Sequence, residues 1–303
     1  MSVAVPASTA RRRALAYLEL TKPRIVMLVM VTGVPGLLMA SGGFPRPALF
    51  WGTLLGTVLA AASAASFNHY IDRDIDALMK RTRQRPLPAG VVPPAHALWL
   101  GFGLAGLAWT TLTVFANVLA ALLGMASIFY YAVIYSLWLK RRTPQNIVIG
   151  GAAGASAPLI AWAAVTGRVE LPAILLASII FFWTPPHFWA LSLYRRDDYV
   201  RAKLPMLPVT HGEEETRRQI ALYALALVPV TLALAPLGVA GPIYWVPALL
   251  LGVLFIYFAL QLQRSREVSH AMRLFRYSIL YLFLLFVLMT VDAAARTLGR
   301  GGH

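Results

Sequence analysis

The sequence of 303 residues has no cysteine, and it has only 12 aspartates and glutamates against 27 lysines and arginines. Without cysteine it can form no disulfide, no thiolate metal site and no thioether-linked cofactor. It also lacks any polar linker long enough to separate soluble domains. We therefore expect one domain over residues 17–303, preceded by a mobile tail over residues 1–16.

Nine apolar stretches dominate the chain. They cover residues 25–43, 47–70, 96–115, 117–138, 147–166, 171–194, 220–239, 244–263 and 274–294. Each has about 18 to 24 residues, enough to cross a hydrocarbon core of roughly 30 Å as a helix. None alternates with period two. The prediction is an all-α, polytopic membrane protein: nine transmembrane helices in one bundle around a central cavity, without a cleavable signal peptide.

Positive charges orient these helices. All but four of the 27 lysines and arginines lie before residue 25 or in alternate gaps, at 71–95, 139–146, 195–219 and 264–276. Basic loops stay on the cytoplasmic side, so we expect the N-terminus in the cytoplasm and the C-terminus outside. Topology and the anionic surface of the lipid bilayer account for the net charge of +15, and no nucleic acid is required.

An acid-rich segment begins where the second apolar stretch ends. Its polar residues recur every four positions, as Asn68, Asp72, Asp76 and Lys80. If the helix continues, they form one stripe, and its two carboxylates need a cation between them. Such oxygen ligands suit Mg²⁺ carrying substrate phosphates, and basic residues follow at Lys80, Arg81, Arg83 and Arg85. The alternative is a solvated, salt-bridged loop surface.

A second charged segment follows the sixth apolar stretch and contains Asp197 and Asp198. The second and sixth helices cross in the same direction, so both segments are expected at the cytoplasmic face. Two acidic clusters of like polarity suggest a parallel internal duplication around one cavity. The alternative is that these carboxylates only pair with nearby arginines, which are Arg195, Arg196 and Arg201.

The motif Asn68-x-x-x-Asp72-x-x-x-Asp76, followed by Arg81-Thr82 and Arg85-Pro86-Leu87, resembles the first signature of the intramembrane prenyltransferase superfamily. Two further segments are similar to the haem-specific branch of that superfamily, the protohaem IX farnesyltransferases. They are Pro186-His187-Phe188-Trp189 and Asp198-Tyr199-x-x-Ala202-x-x-Pro205-Met206-Leu207-Pro208. The resemblance covers roughly residues 17–294. Arg201 and Ala202 stand where the wider superfamily often has a second aspartate, which argues against a symmetric two-metal site.

The resemblance implies transfer of the farnesyl group of farnesyl diphosphate to a vinyl group of protohaem IX, on the route to haem A. It implies an Mg²⁺ cofactor and catalytic, metal-binding residues Asn68, Asp72, Asp76 and Asp198. Diphosphate would be held by Lys80, Arg81, Arg85 and Lys203, and protohaem by His187. It places the enzyme in the cytoplasmic (inner) membrane with its site towards the cytoplasm, near haem A synthase or oxidase assembly factors.

Three alternatives remain open at this point. His187 follows Pro185-Pro186, and its ring is either an iron ligand or bonded to a carbonyl that these prolines free. The acceptor is either protohaem or a quinone or other aromatic ring, which would use the same diphosphate site. A secondary transporter is the most distant reading, because the central portions of the nine stretches contain no charged residue.

Overall fold

The computed structural model describes the backbone of residues 7–265 and 267–300 and the side chains of 11–265 and 267–298. Over these residues it is all helical, without a strand, which confirms the predicted class. The helices are α1 (Ala7–Leu20), α2 (Pro23–Ser41), α3 (Pro47–Leu78), α4 (Pro94–Phe115), α5 (Val118–Phe129, continued by a π-helix over Tyr130–Leu139), α6 (Asn146–Gly154), α7 (Ser156–Thr166), α8 (Leu171–Tyr194), α9 (Arg196–Arg201), α10 (Leu207–Thr210), α11 (Gly212–Leu232), α12 (Pro242–Ser265) and α13 (Val268–Arg300).

Eight helical segments in the described part of the chain are long and apolar enough to cross a membrane. They are α2, α3, α4, α5 with its π-helix, α6 with α7, α8, α12 and α13. Large apolar side chains stay exposed on the outside of the bundle, among them Trp51, Trp99 and Leu250. Lipid is the solvent that such a surface requires, so the chain is a multi-pass membrane protein.

The stretch predicted as a seventh crossing over 220–239 differs from the structure. The helix there, α11, begins at Gly212 and ends at Leu232, and the chain turns over 233–241, where Gly238 has a φ of 69°. Hydropathy alone does not register this turn because its residues are also apolar. The first two turns of α11 are charged, so α11 is absent from the eight apolar segments, although it packs between α8 and α12.

Two further helix boundaries, in α1 and α3, also differ from expectation. Helix α1 begins at Ala7, within the segment predicted as a tail. Helix α3 runs well past residue 70 but ends at Leu78, and the next residue, Met79, is extended with φ −95° and ψ 132°. The four-residue stripe therefore stops at Asp76, and Lys80 is not part of it.

Small residues bring α6 close to both of its neighbours. A Cβ atom on Gly150 would lie 2.7 Å from the ring of Tyr135, and one on Gly151 would lie 3.0 Å from the Cβ of Thr184. Contacts this short leave no room for a side chain. The glycines thus set the distance of α6 from the π-helix on one side and from α8 on the other.

The predicted orientation is testable with reporter fusions. A reporter that is active only outside the cytoplasm should be active when fused after residue 303 and silent when fused within 75–90 or 200–215, because these two loops hold the basic residues. Activity from either basic loop would contradict the orientation. An inactive reporter after residue 303, with both loops silent, would show that the number of crossings is even.

Candidate active site

Three polar side chains occupy successive turns at the end of α3. Asn68, Asp72 and Asp76 are 3%, 1% and 1% exposed, so all three face the interior as the four-residue spacing predicts. Two buried carboxylates one turn apart repel each other and lose hydration, and they require positive partners. The structure supplies those partners from three other parts of the chain.

Asp72 is held through one of its two oxygens. Its Oδ2 accepts hydrogen bonds from the Lys140 ammonium and from Asn68 Nδ2, the latter at 2.7 Å. Asn68 Nδ2 also donates to Ser136 Oγ at 2.9 Å, and Ser136 lies on the π-helix. The second oxygen, Asp72 Oδ1, is buried and has no hydrogen-bond partner in the described residues. A carboxylate oxygen in that state can accept a cation.

Lys22 is the second cation of the site. It lies at the corner between α1 and α2 in the left-handed conformation, φ 50°, and its Nζ donates to Asn68 Oδ1 at 2.6 Å. A left-handed backbone conformation costs a non-glycine residue about 1 kcal/mol or more. Contacts elsewhere in the fold therefore offset the strain at Lys22. Burial lowers the pKa of Lys22 to about 7, and the charges of Arg85 and Lys140 act in the same direction.

Asp76 is paired with Arg85, whose Nη1 lies 2.7 Å from Asp76 Oδ2. This contact exists because the chain turns back after α3 ends. Thr82 Oγ1 donates to the carbonyl oxygen of Asp76 at 2.9 Å and fixes that turn against the helix. The basic residue nine positions after Asp76 therefore reaches the site through a turn and not along a continued helix.

Asp198 brings the second charged segment to the first. It lies on α9, is 6% exposed, and its Oδ1 accepts the backbone N–H of Lys80 at 3.2 Å and a bond from Arg201. Burial raises the pKa of Asp198, but the bonds from Arg201 and the Lys80 amide outweigh it and hold the pKa below its ordinary value. The predicted pairing with Arg201 forms, and Asp198 also faces the first loop. Its neighbour Asp197 is exposed.

The basic residues predicted to hold diphosphate are placed differently from one another. Arg85 points into the site, whereas Lys80, Arg81 and Lys203 are exposed. Lys22 and Lys140, which contact Asn68 and Asp72, were not among the predicted site residues. Their only sequence signal is that each stands next to one end of an apolar stretch, and the sequence does not show which helix ends meet.

The donor set suits Mg²⁺ with phosphate. No group of three or more histidine, aspartate or glutamate side chains in the described residues forms a metal cluster by itself. Mg²⁺, however, commonly takes only one or two carboxylates and completes its shell with water and substrate phosphate oxygens. The unpartnered Asp72 Oδ1 and the carboxylate of Asp76 fit that requirement, and Lys22, Arg85 and Lys140 surround them with charge that favours phosphate.

His187 lies deeper in the bundle, on α8. Its ring is stacked between Trp183 and Phe275, with centroid distances of 4.3 and 4.6 Å. Nδ1 lies 2.7 Å from Ser278 Oγ on α13. The partner of the imidazole is therefore a hydroxyl from another helix, and the alternative of a carbonyl freed by Pro185-Pro186 is wrong.

A family model for the UbiA prenyltransferase family matches residues 29–287, most of the chain. The chain belongs to the UbiA prenyltransferase family. Within the family it is similar to the protohaem IX farnesyltransferase of Azotobacter vinelandii, 50% identical over 91% of this chain and 92% of that protein. It is also 50% identical to that of Roseiflexus castenholzii over 92% of this chain, although it spans only 52% of that longer relative.

Two solved structures share the fold of this UbiA family member. One is a structure of a digeranylgeranylglyceryl phosphate synthase, with a TM-score of 0.78 at 18% identity over 94% of this chain and 99% of that one. The other is a UbiA homologue from Archaeoglobus fulgidus bound to GPP and Mg²⁺, with a TM-score of 0.62 at 17% identity over 91% and 99%. At these identities the likeness concerns the fold alone.

Proposed function

We propose that this protein transfers the farnesyl group of farnesyl diphosphate to a vinyl group of protohaem IX, releasing diphosphate and giving haem O. The observation that supports the diphosphate site is the convergence of three basic side chains on Asn68, Asp72 and Asp76: Lys22 and Lys140 come from distant segments, and Arg85 comes from the turn after α3. Relatives about 50% identical over more than nine-tenths of the chain support the acceptor.

The first step breaks the allylic C–O bond of farnesyl diphosphate, and the electron pair leaves with the diphosphate. Arg85 and Lys140, with Lys22 as a third basic group, would place positive charge beside that leaving group. Charge placed in advance stabilises developing charge without reorganisation. Asp72 and Asp76, with Asn68 and Asp198 near them, would hold Mg²⁺. When bound, that ion supplies further stabilisation of the negative charge on the leaving diphosphate.

The second step forms a carbon–carbon bond between the farnesyl cation and the porphyrin vinyl group. Water then adds to the resulting porphyrin-side cation and loses a proton, which gives a hydroxyethylfarnesyl substituent. A cation of this reactivity must be kept from water until it has coupled. The apolar helices α7 and α8, most of whose residues are buried, would provide that shelter.

The location of the site follows from the same proposal. We place it at the cytoplasmic face of the inner membrane, because Asn68, Asp72, Asp76 and Asp198 all adjoin the loops richest in positive charge. Helix α11 is then the remaining crossing of a nine-helix bundle. Proteins that consume the product, haem A synthase or oxidase assembly factors, would act next to it in the same membrane.

Replacement of His187 distinguishes the acceptor from the donor site. His187→Ala should weaken protohaem binding while leaving farnesyl diphosphate binding close to wild type, because the imidazole touches none of the described cations or carboxylates of the diphosphate site. Equilibrium titration with each substrate measures both effects. Equal loss of both affinities would show that the substitution damages the fold and does not act on the acceptor alone.

The deciding experiment is a reaction of purified protein with protohaem IX, farnesyl diphosphate and Mg²⁺, followed by the mass of the product. A product heavier than protohaem by one farnesyl group and one hydroxyl group supports the proposal, and chelation of Mg²⁺ should abolish it. If protohaem stays unchanged while a quinone precursor or an aromatic acid is prenylated, the acceptor is that ring compound and not protohaem. The assignment of the diphosphate site would still hold.

A further inference from the structure

A buried serine on the last helix holds the imidazole of His187. Ser278 is fully buried on α13, and its Oγ lies 2.7 Å from His187 Nδ1. The backbone carbonyl of the same serine accepts the indole N–H of Trp183 at 2.7 Å. Trp183 in turn stacks on His187. One residue of α13 therefore positions both the ring of His187 and the aromatic side chain that covers it.

The hydrogen bonds of Ser278 determine which nitrogen of His187 carries the proton. Ser278 Oγ has a single proton, and it also lies 2.7 Å from the carbonyl oxygen of Phe275, which can only accept. Both contacts are satisfied only if the hydroxyl donates to Phe275 and accepts from His187 Nδ1–H. In the opposite tautomer the hydroxyl could donate to only one of the two acceptors, and Ser278 Oγ would face the lone pair of the other, Nδ1 or the Phe275 carbonyl oxygen, at 2.7 Å. In the neutral ring Nε2 then keeps its lone pair.

The rest of the imidazole is enclosed in a way that leaves Nε2 available. Trp183 and Phe275 cover the two ring faces, with interplanar angles of 19° and 25°, and Phe188 meets the ring edge-on. The hydrogen bond of the imidazole to a described residue is the one at Nδ1, and Nε2 has none there. A ligand can approach only in the plane of the ring, which is the direction in which an imidazole lone pair binds a metal ion.

We infer that Ser278 is a positioning residue for the acceptor: its hydroxyl locks His187 as the Nδ1–H tautomer and so presents Nε2 to the iron of the porphyrin substrate. The inference rests on the proposed function. Metal-binding histidines usually donate their other N–H to a fixed acceptor, and loss of that acceptor typically costs 10- to 100-fold in metal affinity or activity. Ser278 supplies such an acceptor and is itself fixed by Phe275.

The test is a titration of purified protein with ferric protohaem, read by the Soret band and by the electron paramagnetic resonance of the iron. His187→Ala should shift the Soret band and remove the signal of histidine-ligated iron. Ser278→Val should weaken haem binding by roughly 10-fold or more and alter the same signals, whereas Ser278→Thr should stay near wild type. Valine and threonine have the same shape and differ in the hydroxyl, so the pair separates hydrogen bonding from packing.

A matched control is Ser192→Ala. Ser192 is also fully buried on α8 and bonds only a carbonyl of its own helix, that of Trp189 at 2.9 Å. The control should keep wild-type spectra, and every variant should keep wild-type binding of farnesyl diphosphate. The inference is overturned if Ser278→Val matches wild type, or if Ser192→Ala has an equal effect. Should wild-type protein farnesylate protohaem while these spectra stay unchanged, the positioning role fails and the proposed function survives.

Discussion

Asp72→Asn and Asp76→Asn are each expected to lower kcat for prenyl transfer by at least about 100-fold. Each substitution removes a negative charge from the site proposed to hold Mg²⁺ against the leaving diphosphate, and such metal-ion stabilisation is worth several kcal/mol, with each 1.4 kcal/mol equal to a factor of about ten. Steady-state kinetics at saturating Mg²⁺ measure the effect. Near-wild-type kcat in both variants would remove these residues from the mechanism.

The control for this experiment lies between the two positions. Asp74 is on the same helix but is exposed and pairs with Arg141, so Asp74→Asn should leave kcat nearly unchanged. A second control concerns folding, because Asp72→Asn leaves the part-buried ammonium of Lys140 without its partner. Thermal unfolding of Asp72→Asn separates the two causes, because a folding defect lowers the melting temperature as well as kcat. A lowered kcat at a wild-type melting temperature supports the catalytic role.

The second large effect is expected at Lys140, a residue outside the loop motifs. Lys140→Met should lower kcat/KM for farnesyl diphosphate by roughly 10- to 100-fold, since a charge-assisted hydrogen bond contributes about 1.5 to 3 kcal/mol. The ammonium contacts Asp72 and stands beside the ring of Tyr135 at 5.8 Å. Substrate titration and turnover, measured together, show whether the loss lies in KM or in kcat.

Arg141 provides the comparison for Lys140. It is the next residue, carries the same charge and also pairs with an aspartate, but its partner Asp74 lies outside the site. Arg141→Met should therefore change kcat/KM by less than a factor of about three, as expected for an exposed pair. Equal losses in Lys140→Met and Arg141→Met would mean that the positive charge of the loop, and not the buried contact with Asp72, is what matters.

Features that depend on neighbouring residues were predictable from the sequence, whereas contacts between distant segments were not. Helical periodicity is a property of neighbouring residues, so the inward stripe of Asn68, Asp72 and Asp76 was predictable and is confirmed. Eight of the nine predicted apolar stretches form helical segments long and apolar enough to cross a membrane, and α11 is not among them. Hydropathy does not distinguish an apolar turn from an apolar helix, and the boundary over 233–241 was wrong for that reason.

The residues by themselves thus determined an all-α membrane fold, its repeated polar stripe and its family. Which cation meets which carboxylate was decided only by the tertiary structure, because Lys22 and Lys140 reach Asn68 and Asp72 across 46 and 68 residues. Lys80 meets Asp198 across 118 residues through its backbone, since the helix ends at Leu78. Such pairings depend on how helices pack side by side. Packing between distant segments produces no periodic pattern of residues in the sequence, so it cannot be predicted from periodicity.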